Sequence, residues 1–402
     1  MTSWRLGRWA EMHGFGFETL TLLTAVGFAG PLLASLPRLR IPVIIGELMA
    51  GLVVGKTGLG IVDVANPTIQ MLANLGFALV MFVVGTHVPV RGHQMRSAVP
   101  LALGRVVLVG AAAVALGLGL ATEFDTGHAA LYAVLMSSSS AALALPVMDS
   151  LGLRGPQVLS VTAQIAVADA ACIVLLPLVI DFRRAPSAAL SALAIAGCAV
   201  ALFCLLRAVD SRGWRQRMHD YSKKHSFALE LRINLLVLFA LAALAASTHV
   251  SIMLAGFALG LVIALVGEPR RLARQLFGIT EGFFSPLFFV WLGASLQVRE
   301  LGSHPKFILL GVGLGLGAVL AHCVGRLLGQ PLTLAVLSAA QLGVPVAAAT
   351  IGTEQHLLVA GESAALMFGA LLTIACTSIA GALAARAQNA ETTDKRAETD
   401  KS

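Results

Sequence analysis

Long apolar runs alternate with short polar connections along the whole of the 402-residue chain. About thirteen such runs can be counted, centred near residues 26, 51, 76, 108, 139, 169, 197, 237, 258, 290, 316, 342 and 373. Each approaches the roughly 20 residues that a helix rising about 1.5 Å per residue needs to cross a hydrocarbon layer. An all-α polytopic membrane bundle of about thirteen helices is therefore expected. The first run begins near Phe15 without a small-residue cleavage site, so it is expected to stay as a helix and not to be removed as a signal.

Composition strengthens this picture: 57% of residues are hydrophobic and only 12% charged. A net charge of +7 could point to nucleic acid, but most of the basic residues sit between apolar runs, where they orient the helices instead. The connection from Arg207 to Lys224 carries Arg207, Arg212, Arg215, Arg217, Lys223 and Lys224 against Asp210 and Asp220, and is expected on the cytoplasmic side. Arg38 with Arg40, Arg91 with Arg96, and Arg270, Arg271 and Arg274 then fall on that side as well. Glu123 with Asp125 and Glu354 with Glu362 fall outside. Arg5 with Arg8 and Arg183 with Arg184 oppose this mildly, but the balance puts the N-terminus outside and the C-terminus in the cytoplasm of a bacterial inner membrane. Cys172, Cys198, Cys204, Cys323 and Cys376 lie inside apolar runs without metal-ligand spacing and are expected to be reduced core residues. The stretch from Gln388 to Ser402 is short and polar, and a disordered cytoplasmic tail is expected there.

Asp169 sits near the middle of the run from Val158 to Ile180, at the depth of the bilayer centre. An acid there costs about 2.5 to 3.5 kcal/mol on insertion scales, so a protein-facing ion or proton site is expected, a buried pair with Arg105 or Arg326 being the alternative. Two other runs are interrupted at matching places in the two halves of the chain. Ser137, Ser138, Ser139 and Ser140 precede Pro146 in the fifth, and Gln341, Gly343 and Pro345 break the twelfth. Serine hydroxyls compete with helical bonding, and proline removes a donor. Broken helices in corresponding spans point to a transport site at the midplane, packing kinks being the plainer explanation.

These residues also carry a family resemblance. The segments IPVIIGELMAGLVVGKTGLGIV (41–62), LGFALVMFVVGTHV (75–88), SSSSAALALPVMDSLGL (137–153), VADAACIVLLPLV (167–179) and GFFSPLFFVWLGASL (282–296) stand in an order and spacing that resemble bacterial monovalent cation:proton antiporters. The likeness is to sodium/hydrogen exchangers, in a Kef-type branch without the nucleotide-binding regulatory domain. It covers roughly residues 15–385, and it implies an inverted repeat with crossed discontinuous helices. The exchanger-like transmembrane domain would occupy residues 1–385, its first repeat about 15–181, a linker helix about 186–209 and a second repeat about 227–385, followed by a tail over 386–402. It also implies a homodimer, with Asp169 as the membrane-embedded carboxylate and the fifth and twelfth spans as the unwound pair.

Departures from the family pattern are as informative. Ala168 stands where many members carry Asp, Asn or Gln, leaving a single carboxylate, which favours electroneutral exchange. The basic residue expected in the eleventh span has two candidates, Arg326 and Lys306, of which Arg326 is preferred. Glu47, in GELMAG, is expected to pack or to pair with Arg105 more than to carry ions. His322 is expected to be a satisfied core histidine, although it could titrate near neutral pH. The glycine-rich run from Gly311 lacks the Lys-Ser/Thr ending of a phosphate loop.

Together these features predict a carrier and not an enzyme, needing no cofactor and binding no nucleic acid. A monovalent cation, sodium or potassium, would compete with a proton for Asp169, with the hydroxyls of Ser137, Ser138, Ser139 and Ser140 and freed carbonyls completing an oxygen shell. A potassium-efflux channel or a non-transporting membrane sensor on the same fold are the alternatives.

Overall fold

A computed structural model of the protein describes residues 16–35, 43–87, 93–181, 185–211, 229–247, 252–267, 276–296, 299, 302 and 305–399. Every regular element among them is helical. The chain begins with α1 (Phe17–Gly27), α2 (Ala29–Ala34), α3 (Val43–Val54), α4 (Pro67–His87) and α5 (His93–Phe124). Two short helices, α6 (Ala129–Ser137) and α7 (Ala141–Ser150), precede α8 (Pro156–Ile180), α9 (Ala185–Ser211), α10 (Leu229–Ser247) and α11 (Ile252–Val266). A π-helical turn over Thr280–Phe284 leads into α12 (Ser285–Ser295), and a 3-10 turn over Val324–Leu328 closes α13 (Pro305–Cys323). A second short pair, α14 (Leu332–Ser338) and α15 (Gly343–Glu354), precedes the terminal α16 (Glu362–Thr399).

Ten helical stretches among the described residues are long and apolar enough to cross a membrane, and the three shorter apolar helices Val43–Val54, Leu231–Ser247 and Ile252–Val266 fall on the remaining apolar runs of the sequence. The apolar residues are not confined to the interior. Leu190, Leu193, Val200 and Leu205 of α9 are all exposed, as expected of a helix whose solvent is lipid. Cys198 and Cys204 share that exposure, so among the cysteines only Cys172 is a buried core residue; apolar periodicity in a membrane does not separate the lipid face from the core. Most of the basic connection between Arg207 and Lys224 lies outside the described residues, as do Arg5, Arg8, Arg38, Arg40, Arg91, Arg183, Arg184, Arg270, Arg271 and Arg274.

The chain divides into two compact units. The first comprises residues 1–32, 46–92 and 181–296. Within it α4 and α11 touch backbone to backbone, because a Cβ at Gly256 would overlap the Ala78 carbonyl and one at Gly260 the Phe82 carbonyl. Small residues allow such approach, and dispersion over the contact stabilises helices that gain nothing from hydrophobic burial in lipid. Phe77 of α4 stacks on Phe288 of α12 at 4.4 Å between ring centroids.

The second unit comprises residues 33–45, 93–180 and 297–402. Here α5 packs on α6, α8 and α13, while α16 packs on α13, α14 and α15. Lys306 Nζ donates to the Phe124 carbonyl at 3.2 Å and lies over the Phe124 ring, so it caps the C-terminal end of α5. That contact makes it a helix-end cation. Helix α16 continues to Thr399, through the stretch where a disordered tail is expected. Ala, Gln, Glu, Lys and Arg in that stretch propagate a helix already nucleated by the membrane segment at little cost.

Candidate functional site

The two short helix pairs of the second unit are each a helix broken in the middle. Helix α6 ends at Ser137, Ser138 and Ser140 are extended, and α7 starts at Ala141. In the other pair α14 ends at Ser338 and α15 starts at Gly343. The interruption therefore lies in the serine run itself and at residues 339–342, not at the prolines. Pro146 sits inside α7, which continues past it. Pro345 occupies the first turn of α15, where an N–H would have no helical partner anyway, and Gly343 opens that helix.

Breaking a helix strands backbone groups, and the two breaks satisfy one another. Ser140 N–H donates to the Ala340 carbonyl at 2.7 Å. Ser139 Oγ donates to the Ser338 carbonyl at 2.7 Å, and Gln341 Nε2 donates to the Leu135 carbonyl at 2.5 Å. Thr373 of α16 accepts the Gln341 N–H at 3.2 Å. The crossing is thus cross-wired by backbone and side-chain bonds in a place where water cannot substitute.

Asp169, on α8, is 2% exposed and accepts the Ala141 N–H through Oδ2 at 2.9 Å. The positive end of α7 therefore points at the carboxylate. Ser137 Oγ donates to the Val134 carbonyl at 3.1 Å and lies 3.7 Å from Cys172 Sγ, one turn beyond Asp169 on α8. Ser138 Oγ turns back to the Leu135 carbonyl at 2.7 Å. The four serines and Asp169 are brought to one crossing, but each assigned hydroxyl bond goes to a carbonyl, a sulfur or His322. His322 of α13 was legible only as a buried histidine; its Nδ1 donates to the Ala318 carbonyl at 2.9 Å, which leaves Nε2, 3.2 Å from Ser139 Oγ, as an acceptor competing with the Ser338 carbonyl for the one Ser139 hydroxyl proton. Partners 183 residues apart leave no local pattern by which to find such a contact.

The basic candidates take other places. Arg105 is buried and donates to Ser160 Oγ at 3.1 Å and to the Leu328 carbonyl at 3.0 Å, tying α5 to α8 and to the 3-10 turn. Arg326 is exposed on that turn. Among the described residues the two ion pairs are His128–Glu362 and Arg154–Asp149, so neither arginine forms the expected pair with Asp169 or Glu47. Glu47, buried on α3 in the first unit, has an Oε2 without a hydrogen-bond partner among the described residues. No group of three or more His, Cys, Asp or Glu residues among them could hold a transition metal.

Two interrupted helices thus cross beside a buried carboxylate, an arrangement in which the ends of discontinuous membrane helices can face ions. The chain belongs to the sodium/hydrogen exchanger transmembrane family, whose model matches residues 23–386. It is similar to the putative Na(+)/H(+) antiporter YjbQ of Bacillus subtilis, with 26% identity across 90% of this chain and 62% of that protein. It is also similar to the glutathione-regulated potassium-efflux system protein KefC of Salmonella typhi, with 28% identity across 78% of this chain and 52% of that one. The chain thus spans about half to three-fifths of the length of these relatives. Its fold is that of the sodium proton antiporter MjNhaP1 from Methanocaldococcus jannaschii, with a TM-score of 0.63 and 17% identity over 92% of this chain and 98% of that structure.

Proposed function

We propose that this protein is a secondary antiporter exchanging a monovalent cation, Na+ or K+, for a proton, with Asp169 as the site both ions share. The observation that carries this reading is a nearly inaccessible carboxylate held against a helix N-terminus, with no cationic side chain paired to it among the described residues. An isolated buried charge costs several kcal/mol, so the carboxylate is stable only in company with a proton or a cation. Two interchangeable companions on one site give exchange without ATP. Half-buried Ser137 and the backbone of the two breaks supply hard oxygen ligands suited to alkali cations.

Ala168 before Asp169 leaves one carrier at the crossing, which supports electroneutral one-for-one exchange. The names of the relatives cover both sodium and potassium, so the cation class is monovalent alkali. The charge distribution favours an external N-terminus and a cytoplasmic C-terminus in a bacterial inner membrane, and the exposed apolar face of α9 is available to a second copy in a homodimer. The test is the purified protein in liposomes, with proton flux followed as Na+, K+ and Li+ are added in turn. Saturable flux coupled to cation supports the carrier, whereas flux proportional to the cation gradient without proton coupling means a pore.

A further inference from the structure

Helices α5 and α13 run in opposite directions: Lys306 at the start of α13 caps the Phe124 end of α5, and near their other ends Arg105 donates to the Leu328 carbonyl at 3.0 Å. Leu328 closes both the 3-10 turn and the apolar span that starts at Pro305. Arg105 lies about 10 Å inside its own span, which starts at Ala98. Gly329, with a φ of 72°, reverses the chain there, and the Gln330 N–H returns to the Gly325 carbonyl at 3.2 Å. Arg105, Arg326 and Gln330 thus meet at one turn where a span ends.

The polar groups at this turn are incompletely used. Arg105 is 4% exposed, and its two bonds go to the Ser160 hydroxyl and the Leu328 carbonyl, neutral groups that satisfy N–H donors without balancing a charge. Its Nε has no hydrogen-bond partner among the described residues. Gln330 is 3% exposed and leaves both Oε1 and Nε2 without one there. Arg326 is exposed on the turn itself. The two ion pairs of the described residues include neither arginine, so two positive charges stand at one span end without a carboxylate to meet them. Arginine is seldom buried unless paired, which points to an anion from outside the chain.

The surface around the turn says which anion. Leu327 and Leu328 are exposed, Leu328 lies over Gly104, and Leu103 and Val107 of the same stretch of α5 also face outward. An inorganic anion would have to leave water for a leucine-lined surface, whereas a lipid brings acyl chains that cover it. A zwitterionic headgroup sets its own ammonium against its phosphate, so a net anionic one meets the excess charge better. We infer that this turn is a headgroup site for an anionic glycerophospholipid, its phosphate held by the Arg326 guanidinium with the Arg105 charge behind it. Contact with Arg105 is not required, because a charge buried in a low-dielectric surround is weakly screened. On the proposed orientation the site belongs to the cytoplasmic leaflet, whose surface potential is negative. Through Ser160 the same arginine holds α8, so the lipid would brace the helix that carries Asp169.

The experiment is a titration of delipidated protein in detergent with phosphatidylglycerol, phosphatidylcholine or inorganic phosphate, bound lipid being counted by native mass spectrometry and melting temperature followed in parallel. Wild type should hold phosphatidylglycerol in preference to phosphatidylcholine and melt higher with it. Arg326→Gln should weaken that binding roughly fivefold, the equivalent of about 1 kcal/mol for one arginine at an anionic surface. Arg154→Gln, which removes an exposed arginine elsewhere in the unit, should leave it unchanged. Arg105→Gln should weaken it as well, and if that variant does not fold, Arg326→Gln decides. Equal binding of the two lipids, or equal losses in Arg326→Gln and Arg154→Gln, would overturn the site, and stabilisation by inorganic phosphate that matches the lipid's would overturn its assignment to a lipid. Asp169→Asn should bind phosphatidylglycerol as wild type does, so the outcome is independent of which residue carries the transported ion.

Discussion

Asp169 accepts the backbone N–H of Ala141, the first residue of α7, at 2.9 Å. A helix N-terminus stabilises a nearby negative charge by about 0.3 to 2 kcal/mol, whereas burying a charge costs several kcal/mol. The helix end therefore lightens the cost of an empty carboxylate without cancelling it. On the proposed reading this imbalance is met by a proton or a cation, and it separates Asp169 from Glu362, whose carboxylate meets His128 and two further donors.

The serines at the break should differ from one another. Ser139 joins α14 and His322, whereas the Ser138 hydroxyl only folds back on its own helix. Losing one neutral hydrogen bond is worth about 1 kcal/mol, so Ser139→Ala should raise the cation concentration for half-maximal exchange roughly fivefold, with a smaller change in maximal rate. Ser138→Ala should shift it less. Concentration dependence of proton flux in liposomes measures both, and equal effects would mean that the link to α14 does not shape the site.

Gln341 is the side-chain bridge from the second break to the end of α6. In Gln341→Leu the shape is kept and the donor lost, so stability should fall by about 1 kcal/mol, seen as a lower melting temperature in detergent. An unchanged melting temperature would show that the Leu135 carbonyl is satisfied by Ser138 alone.

Much of this arrangement was legible in the chain. Asp169 stood out because a charge near the centre of an apolar run has no bland solvent-exposed explanation, and the serine run marked the break because its hydroxyls compete with helical bonding. The prolines misled: Pro146 and Pro345 read as breakers, yet one is tolerated inside α7 and the other sits where a helix start needs no N–H. The basic partner was not legible at all. Arg105 was drawn toward Asp169 on charge, and Arg326 also as the basic residue that the family resemblance expects in the eleventh span, whereas Ser160 and the Leu328 carbonyl, far away in sequence, hold Arg105, and Arg326 sits exposed on a turn. The ion pair between His128 and Glu362 spans 234 residues and leaves no periodic trace.

The proposed single carrier at the crossing implies one proton for one cation, and such a cycle would move no net charge. Exchange should then be nearly indifferent to membrane potential, whereas a cycle with one net charge would gain or lose about 2.3 kcal/mol at 100 mV. Proton flux with and without a clamped potential makes the comparison. Strong voltage dependence would bring Glu47, the buried acid of the first unit, into the cycle.

The most direct test of the central claim is Asp169→Asn. The amide keeps the shape of the carboxylate and can still accept the Ala141 N–H, but it can neither carry a proton nor balance a cation. The variant should fold, with a melting temperature in detergent equal to or above that of wild type, and show no cation-dependent proton flux in liposomes. Wild-type flux from folded Asp169→Asn would contradict the assignment of Asp169 as the shared site.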